Sequence, residues 1–224
     1  MSALISWLLE LFFPPKCMFC RRLLPDSARW CCDDCLAALP EWEGAAEKVP
    51  GFSGCAVAFS YEEPVRGAIL RMKFQGLRAY IPQFARWMAV RVRAELAGRY
   101  DFVTWVPCSR RRRWQRGFDQ AELLARALAR ELEAEVRPTL LKVRHNPPQS
   151  RTKSAAARRA NVLGVYRILP GAPVSGAKIL VVDDIITTGA TLSACGQVLR
   201  LAGAADLVCA AIAATDHKDG AAQR

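Results

Sequence analysis

Ile179-Leu-Val-Val-Asp183-Asp184-Ile-Ile-Thr187-Thr188-Gly189-Ala190-Thr191 is the stretch that decides the fold. Four consecutive apolar residues indicate a strand covered on both faces, as in a parallel sheet. Two carboxylates follow at its C-terminal end, the end where parallel sheets bind ligands. A Thr/Gly turn then opens a helix. This order suits a ribose 5-phosphate. Asp183 and Asp184 would accept hydrogen bonds from vicinal hydroxyls. The turn Thr187, Thr188, Gly189, Ala190, Thr191 would offer backbone N–H groups and hydroxyls to a phosphate at a helix N-terminus, where the helix dipole favours an anion. Gly189 allows a close approach or a positive φ that a Cβ would obstruct. The same residues also fit an Asp-Asp strand end followed by a Ser/Thr-type helix cap.

Working outward, apolar runs alternate with helical spacing. Residues 55–61 read as a strand and 64–74 as a helix. Residues 80–97 read as a second helix, with Phe84, Trp87, Met88, Val92 and Leu96 on one side. A short buried strand follows at 102–107. The 119–132 helix has Leu124, Leu128 and Leu132 in register. Strand 178–182, a helix over 191–202 closed by Gly203, and strand 207–213 complete the pattern. Continuous apolar strands alternating with helices predict an α/β domain with a mostly parallel sheet flanked by helices.

The chain of 224 residues suits one full domain, or one domain with a small appendage. An apolar share of 52% excludes a disordered chain. No apolar run reaches the roughly 18 residues needed to span a bilayer. The first 13 residues are greasy but lack a basic start, contain Glu10, and lead into Pro-Pro-Lys-Cys rather than a small-residue cleavage site. They read as an amphipathic or partner-docking helix rather than a signal peptide, and a cytoplasmic location is expected.

Net charge is +11, and its distribution is uneven. Residues 1–60 carry 5 basic and 7 acidic side chains, residues 61–130 carry 15 and 6, residues 131–177 carry 8 and 3, and the remainder 4 and 5. The span 61–177 therefore holds +14, which expects polyanions, either nucleic acid or phosphorylated small molecules. A soluble Arg-rich surface is the alternative, since 25 of the 32 basic residues are Arg.

Five of nine cysteines fall within residues 17–35, as Cys17-Met-Phe-Cys20 and Cys32-Asp-Asp-Cys35 with Cys31 alongside. Two CxxC pairs at this separation match a four-thiolate structural zinc site made by Cys17, Cys20, Cys32 and Cys35. Cys31 in place of Cys32 would break the spacing. Four thiolates leave no open position for a catalytic water, so the module should be structural or adhesive. A segment of about 45 residues buries little core, so the metal would supply its folding free energy. The Gly-, Pro- and acid-rich stretch 41–51 reads as a linker. The expected organisation is a zinc-binding module with its N-terminal helix over 1–45, the α/β domain over 52–216 and a polar tail over 217–224. Cys55, Cys108, Cys195 and Cys209 read as core or near-core thiols.

The thirteen-residue stretch resembles the 5-phosphoribosyl-1-pyrophosphate (PRPP) signature of type I phosphoribosyltransferases. Further segments resemble the ComF family of competence proteins: Leu70-Arg-Met-Lys73-Phe, Val106-Pro107 with an Arg-rich loop, Arg116-Gly-Phe-Asp-Gln120, Pro148-Gln149 and Arg158-Arg-Ala-Asn161. That family places a four-cysteine zinc module before a phosphoribosyltransferase domain, and the resemblance runs from Leu11 to about Thr215. Asp119 stands where the family motif usually has Asn, and 149–158 is about one residue long for the pattern.

The resemblance implies that Asp183 and Asp184 hold the ribose hydroxyls, directly or through metal-bound water, and that Thr187–Thr191 cradle the 5-phosphate. Mg²⁺ is implied with PRPP. The 107–118 loop, with Arg110, Arg111, Arg112, Arg113 and Arg116, stands where a pyrophosphate loop is expected, although a nucleic-acid patch fits it equally. Lys73 and Arg158 are further candidate contacts. No general base is legible; His145 and His217 sit in no motif. Two functions follow. One is a PRPP-binding protein of natural transformation that handles incoming single-stranded DNA in the cytosol, with Trp105, Trp114 and Phe118 near the basic region and a competence helicase as possible partner. The other is an active Mg²⁺-dependent phosphoribosyltransferase in nucleotide salvage or synthesis. The oligomeric state and acceptor are not legible.

Overall fold

The computed structural model describes residues 14–25, 29–43, 49–143 and 164–215. The N-terminal segment, the segment carrying Pro148, Gln149 and Arg158, and the polar tail lie outside the described residues.

Four strands form one parallel sheet: β1 (Gly54–Ser60), β2 (Phe102–Trp105), β5 (Lys178–Ile186) and β6 (Asp206–Ala214), in the order β1-β6-β5-β2. A separate antiparallel hairpin pairs β3 (Leu140–Lys142) with β4 (Tyr166–Ile168). The helices are α1 (Asp33–Ala37), α2 (Val65–Phe74), α3 (Ile81–Leu96), α4 (Arg110–Arg116), α5 (Gln120–Glu131) and α6 (Ala190–Leu201).

The apolar strands are continuous because both sheet faces are covered. Successive strand residues alternate between two cores. Leu180, Val182, Val208, Ala210 and Ile212 meet α2, α3 and α5 on one face. Ile179, Val181, Leu207, Cys209 and Ala211 meet α6 and the hairpin on the other. Phe84, Met88, Val92 and Leu96 are buried along α3, and Leu124 and Leu128 along α5, as helical spacing predicts.

Three local features differ from the sequence reading. β5 continues through the acidic pair to Ile186, because Asp183, Ile185 and Ile186 keep register with Ala211, Ala213 and Ala214 of β6. The expected Arg-rich loop is the helix α4, whose N-cap Ser109 hydroxyl accepts from the Arg112 N–H and whose end is turned by Gly117 at φ 75°. The described ends of the 41–51 stretch are anchored: Trp42 and Val49 are 5% and 3% exposed and pack in the α6-side core, and Glu41 bridges to Phe59.

The cysteine-rich knuckle is also tied to the main core. Cys17, Met18, Phe19 and Leu24 belong to the same buried cluster as α2 and α3. Phe19 stacks 5.8 Å from Trp87, and the Arg71 guanidinium donates to the carbonyls of Met18 and Phe19 at 2.9 and 2.6 Å. Among the described residues no helix is long and apolar enough to cross a membrane.

Candidate phosphoribosyl site and cysteine cluster

β5 and its neighbour β2 end side by side, and the segments that leave them diverge: β5 leads through Thr187 into α6, β2 through Pro107 into α4. A cleft of about 270 Å³ opens there. Asp183, Asp184, Thr187 and Thr191 line it from β5 and the turn, Arg112 and Arg116 from α4, Lys73 from α2, and Lys142 and Tyr166 from the hairpin.

Consecutive strand positions point to opposite faces, so the two carboxylates diverge. Asp184 turns toward α2, where the Lys73 ammonium lies 2.8 Å from Oδ2 with both side chains largely buried. Asp183 lies on the hairpin side, and its Oδ1 accepts the Asp184 N–H at 2.8 Å. Burial, and then the adjacent Asp184 charge, raise the Asp183 pKa to about 8. Ionising Asp183 where it stands therefore costs free energy.

Gly189 is left-handed, at φ 65°, and N-caps α6. A Cβ there would touch Val49 only at ordinary distance, 3.6 Å, so glycine is required by the backbone turn rather than by crowding. The Thr188 hydroxyl accepts from the Ala190 N–H at 3.4 Å, and Ala190 itself begins the helix.

The arginines of α4 separate by helical phase. Arg112 and Arg116 are spaced i,i+4 and line the cleft, whereas Arg110, Arg111 and Arg113 do not. Arg116 donates to Gln120 Oε1 at 2.8 Å and stacks 4.9 Å over the exposed Phe74 ring. Burial, and then Arg112, lower its pKa. The Lys142 ammonium donates to the Tyr166 hydroxyl at 3.0 Å, and burial, followed by Arg112, also lowers the Lys142 pKa. Of the aromatics near the basic region, Trp105 and Phe118 are buried and Trp114 is 86% exposed.

The sequence reading gave no site role to several cleft residues, among them Lys142, Tyr166, Cys108 and Asp119. Lys142 and Tyr166 arrive from a hairpin with no local motif. Cys108 lines the wall, its thiol pushed up to about 12 by burial and by Asp119. Asp119 is 4% exposed; its carboxylate caps α5 through the Ala121 and Glu122 N–H groups and accepts from the Cys108 N–H at 2.8 Å. Its capping role could have been read from its position before an amphipathic helix, whereas its bond to the Cys108 N–H could not.

At the other end of the chain, the sulfurs of Cys17, Cys20, Cys32 and Cys35 all lie within 4.8 Å of one another. The Cys20 and Cys32 sulfurs are 3.7 Å apart, close to the ~3.8 Å edge of a tetrahedron with ~2.3 Å metal–sulfur bonds. Cys31 is not in the group. The donor set and spacing fit a structural zinc ion.

Comparison with known proteins gives the same picture. Residues 119–223 match the phosphoribosyl transferase domain family. Competence protein F of Haemophilus influenzae is 30% identical over 199 residues, covering 86% of this chain and 82% of that protein. This chain belongs to the ComF family. Its ComF relatives include competence protein ComFC of Streptococcus pneumoniae, 30% identical over 79% of this chain and 71% of that one. The DNA utilization protein YhgH of Escherichia coli K12 is 28% identical over 71% of each chain.

Proposed function

We propose that this ComF-family chain binds PRPP with Mg²⁺ in the β5/β2 cleft and acts in natural transformation, where it handles incoming single-stranded DNA in the cytosol. The observation that carries the first part is the convergence of four separate elements on one small cleft: the two carboxylates of β5, Thr187 and Thr191 of the turn into α6, Lys73 of α2, and Arg112 and Arg116 of α4. The second part is supported by the names of the relatives and by the basic central region.

In this reading Asp183 and Asp184 accept from the ribose hydroxyls, and the 187–191 turn takes the 5-phosphate. Arg112 and Arg116 face the pyrophosphate. Lys73 is held in reserve by Asp184 and becomes available once the carboxylate is engaged by the sugar. Mg²⁺, when bound, neutralises clustered phosphate charge. A zinc ion held by Cys17, Cys20, Cys32 and Cys35 braces the knuckle.

A second reading is favoured by Lys142 and Tyr166, which stand in the same cleft beyond what phosphate binding requires. In an active transferase a nitrogen lone pair of an acceptor would form the bond to C1 as the C1–oxygen bond breaks. Its electrons would leave on pyrophosphate, and the acceptor proton would pass to solvent. Catalysis would then rest on positioning and on charge stabilisation by the arginines.

Calorimetric titration of PRPP, with and without Mg²⁺, tests the first reading. Metal-dependent binding by the wild type that is lost in Asp183→Asn/Asp184→Asn is expected. Absence of binding by the wild type would overturn it. Pyrophosphate release on addition of nucleobases or amines would select the second reading.

A further inference from the structure

A second cavity, of about 470 Å³, lies against a neighbouring face of α4. It shares Pro107, Cys108, Asp119 and Lys142 with the phosphoribosyl cleft, so the two adjoin. Its walls include Trp105, Pro138, Leu140 and Leu169, and Arg110 and Arg113 line it from α4. Arg126 also lines it, with its guanidinium 5.6 Å over the Trp105 ring. Glu122 holds Arg113 at 3.2 Å and Arg126 at 3.0 Å, which sets both guanidinium groups at the wall.

The geometry points to a nucleotide site in this second cavity, one that takes a unit of single-stranded DNA beside the phosphoribosyl cleft. This rests on the reading of the protein as one that handles single strands, and deepens it by giving the strand a place. At ~100° per residue, Arg110 and Arg113 lie on one face of α4, and Arg112 and Arg116 on a neighbouring face turned by roughly 110°. One short cationic helix therefore serves two cavities.

The chemistry of the second cavity is amphipathic. Apolar walls with a cationic edge select an anion that has an apolar face, as a nucleobase with its phosphate has. The volume falls within the ~300–1,000 Å³ range of small-ligand pockets. Polarity continues outward in the same sense: Arg111 is exposed, and the Trp114 ring is 86% exposed on the same helix, which offers charge and a stacking surface to neighbouring nucleotides. An aromatic anion of another class, such as a phosphotyrosine, is less favoured because it would leave this exposed extension unused.

The test compares Arg110→Gln/Arg113→Gln with Arg111→Gln and the wild type. The probes are a fluorescein-labelled oligothymidylate of about twelve nucleotides, free dTMP, phosphotyrosine and PRPP. The double variant should bind the oligonucleotide roughly tenfold more weakly, with its salt slope reduced by about 1.4 for two lost phosphate contacts. Its PRPP affinity should stay within about twofold of wild type, which also shows that it folds. Arg111→Gln should lose less than the double variant. Displacement of the labelled strand by dTMP, but not by phosphotyrosine, supports a nucleotide site. Wild-type oligonucleotide affinity in the double variant overturns the placement while leaving the DNA-handling role intact. Failure of the wild type to bind the oligonucleotide removes that role itself. Displacement by phosphotyrosine as effective as by dTMP overturns the nucleotide assignment.

Discussion

Asp183 carries an energetic cost that only its neighbours reveal. An aspartate in the unfolded chain titrates near 3.9, while burial and the Asp184 charge place this one at about 8 in the folded protein. Its raised pKa means that folding is favoured by the protonated form. The protein is least burdened below the unfolded pKa, and the burden grows as pH rises toward the folded value. Asp183→Asn should therefore raise the melting temperature of the ligand-free protein by a few degrees at pH 8. The gain should shrink as pH falls and vanish well below the unfolded pKa of ~3.9, where the aspartate is neutral in both states. Thermal unfolding without added Mg²⁺ checks this, and a variant less stable than wild type at pH 8 would show that the carboxylate is satisfied where it stands. Gly189 belongs to the same scale: its left-handed φ was readable from its place in the turn, whereas the Lys73–Asp184 ion pair was not, because those residues are far apart in sequence.

At the scale of elements, α2 links the two ends of the molecule. One side of it offers Arg71 to the knuckle carbonyls, and Lys73, two positions on, reaches Asp184. Met18 and Phe19 are buried in the same core as α2 and α3, so the knuckle adds to that core as well as offering a four-thiol site that fits zinc. Removing zinc by Cys17→Ser should lower the stability of the whole protein in a single calorimetric transition, since the knuckle and the sheet share buried contacts. Arg71→Met should keep one zinc per chain and still cost about 1.5–3 kcal/mol, the range for hydrogen bonds to a charged group. Two separate transitions, with the second at the wild-type temperature, would show an autonomous appendage. The cysteine spacing made the four ligands legible; it held no information about what Met18 and Phe19 pack against.

At the scale of the molecule, the +14 of residues 61–177 is partly consumed internally. Arg71 and Arg91 are engaged with carbonyls or carboxylates and Arg113 and Arg126 share the single charge of Glu122, whereas Arg110 lines the second cavity, Arg111 is exposed and Arg112 faces the cleft. Single-strand binding should accordingly weaken with salt at a slope of about −0.7 per neutralised phosphate, totalling a few phosphates rather than fourteen. Titrations of labelled oligonucleotide across salt concentrations measure it, and a flat, salt-independent signal would count against charge-driven binding.

The α/β class, the parallel sheet, most helix positions, the four zinc-fitting cysteines and the acidic pair with its Thr/Gly turn were all determined by local pattern. Apolar runs, 3.6-residue spacing and close motif spacing are short-range properties that a linear chain displays directly. The tertiary structure decided what depends on juxtaposition: the partner of Asp184, the recruitment of Lys142 and Tyr166 from the hairpin, the docking of the knuckle on α3, and the division of the α4 arginines between two cavities. A run of arginines reads the same whether it forms a loop or a helix. Only helical phase, seated against β2 and the hairpin, assigns each side chain to a wall.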